Sequence, residues 1–145
     1  MHVLVPIDGS EASFRALEAA FDSDPTEVTA LTVIDPTDPS YVAPEDLPTD
    51  APANYPGASD DWWEQAQEQA EAVCEEARER DPGVPLETEI EEGDPADVVL
   101  SYAQEEDVDR LVLGSHGHGG YADATLGSVA DEVSRKAGTT VTLVR

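Results

Sequence analysis

Four glycines, Gly114, Gly117, Gly119 and Gly120, fall within seven residues, directly after the apolar run Leu111, Val112 and Leu113. Nine residues separate Gly117 from Gly127, and Ser128 then opens a helical pattern. A strand, a glycine loop and a helix start together form an arrangement that holds phosphate. Glycine lets the backbone curl and lets a ligand approach closely. Unpaired N–H groups and the helix dipole favour an anion. A blander reading exists for each half. Ser128-x-x-Asp131 is a capping-box pattern on its own, and glycines also make flexible turns. Four glycines without a proline exceed what a turn needs, which favours a ligand.

Other reactive side chains are judged against this stretch. Asp8 follows the first apolar run and suits two tasks. It can cap the next helix, a task Ser10 could also perform, or accept hydrogen bonds from ribose hydroxyls, as acids after strands do in nucleotide folds. Ile34 ends the second run, as core or as the wall of an adenine pocket. His116 and His118 lie in the glycine loop, where contact with phosphate or solvent is expected. A metal site would want a third close ligand. No serine or cysteine is spaced to make a triad with either histidine. Asp123 lies between the two halves of the motif, as a weak metal ligand or a solvated residue. The single cysteine, Cys74, allows no internal disulfide.

Charge is the outlying property of the composition. The chain holds 33 acidic and 7 basic residues, a net charge of −26, and the basic residues are six arginines and Lys136. The acids are spread among well-patterned apolar positions, which argues against a disordered acidic tail. A folded protein adapted to a high-salt cytoplasm is expected. At about 1 M salt the Debye length is about 3 Å, so self-repulsion is screened. Nucleic acid is excluded as a partner because no basic footprint exists. No apolar stretch approaches the roughly 20 residues of a membrane helix, and no leader pattern opens the chain. The cytoplasm is the expected location.

These residues must be positioned by alternating elements. Residues 3–7 read as a strand buried on both faces, 11–21 as a helix with Phe14, Leu17 and Phe21 on one side, and 28–34 as a second strand. Residues 35–60 carry six of the eleven prolines and read as a long lid, binding loop or insert. An amphipathic helix over 62–80 starts with Trp62 and Trp63, read as core anchors or a lid over the loop in preference to a stacking platform. Leu86, Thr88 and Ile90 alternate with glutamates, the pattern of a strand near a sheet edge. Asp94 and Pro95 read as N-cap and first residue of a helix, with Val98, Val99, Tyr102 and Ala103 on its inner face. Residues 110–113 form a fourth strand, 128–137 a helix stopped by Gly138, and 139–144 a fifth strand. This alternation predicts a parallel α/β sheet, with any ligand at the carboxyl ends of the strands. Residues 1–145 are expected to make one domain.

At this point the chain resembles the universal stress protein family over its full length. The resemblance rests on Val5, Pro6, Ile7, Asp8, Gly9 and Ser10; on Val33, Ile34 and Asp35; on Gly93, Asp94 and Pro95; and on Gly114, Ser115, His116 and Gly117 with Leu126, Gly127, Ser128 and Val129. The G-x2-G-x9-G-[S/T] spacing is that of the family's ATP-binding branch. The resemblance implies a five-stranded parallel sheet of order 3-2-1-4-5 with helices on both faces, an adenine nucleotide alpha-hydrolase-like, Rossmann-like fold. It implies that Pro6, Asp8, Ile34 and Leu113 meet adenine and ribose. It also implies that Gly114, Gly117, Gly127, Ser128 and Val129 hold ribose and phosphates. A homodimer through the last strand, 139–145, is implied as well, and Val141, Leu143 and Val144 would be an aggregation hazard if that edge stayed open.

Two departures set this chain apart. His118 stands where relatives commonly carry Arg or Lys, and Gly119 where they often carry Ser or Thr. With little fixed positive charge, the site is expected to rely on Mg²⁺ or Mn²⁺, to bind ATP weakly, or to prefer AMP or ADP, with His118 in the binding set. The expected role is a nucleotide-responsive regulatory dimer of stress adaptation, with an unknown protein partner. Any ATP hydrolysis would be slow, because the motif offers no general base and no arginine finger. The alternatives are a dimeric interaction protein with a vestigial site, or a nucleotidyl-transferring enzyme, which would need a basic residue at the phosphates and a second substrate pocket.

Overall fold

The computed structural model describes residues 1–35, 60–80, 83–115 and 128–145, with side chains from 63 onward in the second stretch. Its elements are β1 (His2–Pro6), α1 (Glu11–Asp22), β2 (Glu27–Ile34), α2 (Asp60–Glu79), β3 (Leu86–Glu92), α3 (Pro95–Glu105), β4 (Arg110–Gly114), α4 (Ser128–Lys136) and β5 (Thr140–Val144). The strands make one parallel sheet of order β3-β2-β1-β4-β5. The expected order therefore holds, as does β3 at an edge. Boundaries move by a residue or two, which is the ordinary uncertainty of helix and strand ends. The helix expected from 62 begins at Asp60. Residues 36–59, the bulk of the proline-rich stretch, lie outside the described residues.

Helices cover both faces because the central strands bury apolar side chains on both sides of the sheet. On one face Val3 and Val5 of β1, Val28 and Ala30 of β2 and Val112 of β4 pack against Phe14, Leu17 and Phe21 of α1 and Ala77 of α2. On the other, Leu4, Leu31, Leu111 and Leu113 meet Val99 of α3 and Val133 of α4. Leu4, Leu31 and Leu111 are wholly buried, each contributing about 1.5–3 kcal/mol against an exposed state. A third cluster joins Ile34 to Ala66 and Ala70 of α2, with Trp63 and Ile90 against it, so Trp63 is a core anchor. Cys74 is buried there as well, its Sγ 3.8 Å from Thr32 Oγ1.

Local signals at the helix starts are also realised. Asp94 caps α3 by accepting from Asp97 N at 3.1 Å, and Pro95 takes the first turn. Ser10, not Asp8, caps α1, accepting from Ser13 N at 3.2 Å. Such a cap is worth about 1 kcal/mol. Ser128 is itself the first residue of α4, and Asp131 pairs with Arg135 at 3.0 Å. The residue before Ser128 lies outside the described residues.

Candidate functional site

The sheet reverses its winding between β1 and β4, and there the strands part at their carboxyl ends. The β1–β4 register covers Val3↔Arg110 and Leu4↔Leu111. Beyond it, β1 stays paired with β2 through Pro6↔Leu31, and β4 stays paired with β5 through Gly114↔Val144. Pro6 supplies a reason. Ile7 N donates to Leu31 O of β2 at 2.9 Å, while the His2 carbonyl accepts from Asp109 N just ahead of β4. Backbone groups alternate sides along a strand, so residue 6 would donate toward β4. Proline has no N–H to give.

On the β1 side, Asp8 is held in a short turn. Asp8 Oδ1 accepts from Ser10 N at 2.9 Å, and Asp8 N donates to Ser13 Oγ at 3.3 Å. Gly9 bridges them at φ +88°, a left-handed conformation in which a side chain would be strained. A Cβ there would also stand 3.2 Å from Val73 Cγ2 of α2. Because Ser10 does the capping, the carboxylate of Asp8 is positioned by the helix start instead of serving as its cap.

On the β4 side, Gly114 is glycine for a reason the loop alone does not reveal. A Cβ on it would meet the main-chain carbonyl of Ala12 in α1, 2.7 Å from the carbon and 2.8 Å from the oxygen. Glycine therefore lets the first turn of α1 lie against the end of β4, which brings the Asp8 turn and the end of β4 to one place. Ser115 follows, its N–H donating to Val144 O at 2.7 Å. Among the described residues its buried hydroxyl has no hydrogen-bond partner. Leaving such a group unsatisfied costs about 1–3 kcal/mol.

The remaining predicted residues divide plainly. Ile34 ends β2 and Leu113 stands one residue before the end of β4, both with their side chains in the core. Ser128 is exposed at the start of α4, and Val129 packs partly into the α3–α4 side of the core. Gly117, His118 and Gly127 lie outside the described residues, as do His116, Gly119 and Asp123. Sequence reasoning missed Ser13 and Ser115. A serine among the alanines of the inner face of α1 was the signal for the first; the second gave none beyond its place after Gly114.

Among the described residues, the grouping close enough to share a metal ion is Asp94, Asp97 and Glu132. These carboxylates already have tasks: Asp94 caps α3, and Glu132 pairs with Lys136 at 3.6 Å. Tyr102 is the group whose titration is displaced. Burial pushes its phenol up, a hydrogen bond with Thr29 opposes this, and the charges of Glu89, Glu106 and Glu87 add to the rise. It faces β2 and β3, away from the parting strands, and has no part in the site.

Comparison with known proteins agrees with this geometry. The universal stress protein family model matches residues 1–145. A universal stress protein of Mycolicibacterium smegmatis is 33% identical over 150 residues, spanning 99% of this chain and 45% of its own length. The chain thus covers about half of that relative. Universal stress protein YxiE of Bacillus subtilis is 30% identical over 147 residues, 99% of this chain and 97% of its own. Among solved structures, UspA from Lactobacillus plantarum superposes with a TM-score of 0.77 at 25% identity, covering 100% of this chain and 97% of the other. A universal stress protein solved in complex with cAMP has a TM-score of 0.67 at 27% identity, covering 100% and 97%. No helix among the described residues is long and apolar enough to cross a membrane.

Proposed function

Because the chain belongs to the universal stress protein family, we propose that it binds an adenine nucleotide, ATP or its di- or monophosphate, where β1 and β4 part. The observation that carries this is the convergence of Asp8, Gly114 and Ser115 at the switch point of the sheet. Open α/β sheets take ligands at that place. The related structure holding cAMP supports the same ligand class. Asp8 would accept from ribose, while Gly114, Gly117, Gly127 and Ser128 would admit the phosphates to backbone amides. Little fixed positive charge stands in the motif, so Mg²⁺ or Mn²⁺ would accompany a di- or triphosphate.

Binding in this reading regulates rather than drives chemistry. The chain would act as one domain in a cytoplasmic stress response, in a microbe that keeps its interior salty, and would signal nucleotide state to a protein partner. The experiment is a thermal melt in molar KCl with ATP, ADP, AMP and Mg²⁺. A ligand at 100 times its Kd stabilises by about 2.7 kcal/mol, and the same ligand concentration should stabilise Asp8→Ala by about half of that or less. Unchanged melting of the wild type with every nucleotide contradicts the reading.

The homodimer would form through β5. That strand is the sheet edge beside β4 and carries no charge from Thr140 to Val144, and Leu143 is 39% exposed. The opposite edge, β3, carries Glu87, Glu89, Glu91 and Glu92, which guard it against pairing. Leu143→Lys should therefore give a monomer by light scattering in molar KCl, where the wild type gives a dimer. A dimer that survives the change would place the interface elsewhere.

A further inference from the structure

We propose that Arg110 reaches across the β5 edge to a carboxylate of a second copy of this chain, Glu11 of the partner subunit, and so sets the register of the homodimer. The inference rests on the β5 reading above and names the groups that lock it.

Arg110 opens β4. Successive side chains of a strand point to opposite faces. Leu111 and Leu113 pack toward α3 and α4, and Val112 packs toward α1, so Arg110 stands on the α1 face. Its Nε is buried and, among the described residues, bonds nothing. The arginines of the helices are all engaged. Arg15 holds the Arg145 carbonyl, Arg78 the Thr88 hydroxyl, Arg80 the carboxylates of Glu18 and Glu76, and Arg135 that of Asp131. A guanidinium keeps its charge at any ordinary pH, and a charge taken out of water needs a counter-charge. The chain holds 33 acidic residues, yet no described ion pair includes Arg110. A carboxylate from a second molecule completes it.

A twofold axis can pair an edge strand with its own copy only antiparallel, about an axis normal to the sheet. The amino end of one β5 then lies beside the carboxyl end of the other, and α1 stays on the same face in both. Arg110 is level with Thr140, at the amino end of β5. At the carboxyl end stands the first turn of α1, tied there by Arg15 Nε, which donates to Arg145 O at 2.9 Å. Glu11 begins that turn, 3.7 Å from Arg15 Nη1, with its side chain 95% exposed. Pairing through β5 therefore brings the partner's Glu11 level with Arg110. Two strand spacings, about 10 Å, separate β4 from the partner's β5, a gap the two side chains close from either side. Symmetry makes the contact twice. Strand β5 is uncharged, so contact along it alone leaves the register open, and two copies of net charge −26 repel. Opposite charges at both ends of the interface supply register and specificity more than raw affinity.

The test is sedimentation equilibrium in molar KCl with the wild type, Arg110→Glu, Glu11→Arg and the double variant. Each single reversal should raise the dimer dissociation constant at least about tenfold, the effect of two like-charged contacts. The double variant restores opposite charges and should return to within about threefold of the wild type, a rescue that a merely structural Arg110 does not give. Should Arg110→Glu fail to fold, Arg110→Gln and Glu11→Gln take its place, each weakening the dimer about fivefold and together no more than either alone. A dimer unmoved by Arg110→Glu, or a double variant as weak as the single effects combined, overturns the proposal. A wild type that stays monomeric, or a dimer indifferent to Leu143→Lys, removes the β5 reading as well.

Discussion

Gly114→Ala is expected to lower the melting temperature by about 6–12 °C and to abolish nucleotide-dependent stabilisation. The added methyl would stand 2.7 Å from the main-chain carbonyl carbon of Ala12. Backbone inside a helix cannot rotate away as a side chain can. Either α1 lifts from β4 or the end of β4 bends. Overpacking of this kind costs about 3 kcal/mol, and each kcal/mol shifts the midpoint by about 2–4 °C in a domain of this size. The functional loss has the same cause, because α1 carries the Asp8 turn at its start. Gly138→Ala is the control. A Cβ there meets nothing within 4 Å, and its effect should stay within about 0.5 kcal/mol. Calorimetric melting of the two variants with and without ATP checks the prediction. Equal behaviour would mean that Gly114 is not placed by α1.

The second large effect is expected from salt. Moving the protein from about 2 M to 0.1 M KCl should cost several kcal/mol of stability, because the Debye length lengthens to about 10 Å and 33 acids begin to repel across the surface. The described ion pairs do little against this. Most join residues four apart on one helix: Arg15 with Glu11, Arg80 with Glu76, Arg135 with Asp131, and Lys136 with Glu132. Exposed pairs of this kind are worth about 0.5 kcal/mol or less. Fraying should begin at β3, where Glu87, Glu89, Glu91 and Glu92 crowd an edge strand that faces Asp97 and Glu105 of α3 across a groove. Hydrogen exchange across a KCl series checks both the size and the place. Sucrose at matched osmolarity separates screening from solute exclusion. Stability independent of KCl would contradict the expectation.

The periodic parts of the fold were legible because each follows from neighbours in the chain. Alternating glutamates marked β3 as an edge, the Asp94 and Pro95 pair marked the start of α3, and a continuous apolar run marked β1 as buried on both faces. The sheet order was readable only through the family resemblance, since periodicity says which residues are buried but not which strands adjoin. The site was half legible. Glycine at 114 was visible, but its cause lies in Ala12, about a hundred residues away in the chain. The capping of α1 was ambiguous between Asp8 and Ser10 because both residue types cap helices. The bond from Ser13 N to Ser10 Oγ is what assigns the cap to Ser10. Ser13 looked like part of a helix pattern, and Ser115 like a loop residue. Their significance comes from three-dimensional bonding, or from its lack, and no spacing encodes that. The predictions for Gly117, His118 and Gly127 lie outside the described residues and stand as expectations.

The most direct measurement is calorimetric titration of the full chain with ATP and Mg²⁺ in molar KCl, beside Asp8→Ala under the same conditions. Saturable binding of one nucleotide per chain, weakened at least tenfold by Asp8→Ala, is the predicted result. No saturable heat with ATP, ADP, AMP or cAMP, or wild-type affinity in Asp8→Ala, would contradict it.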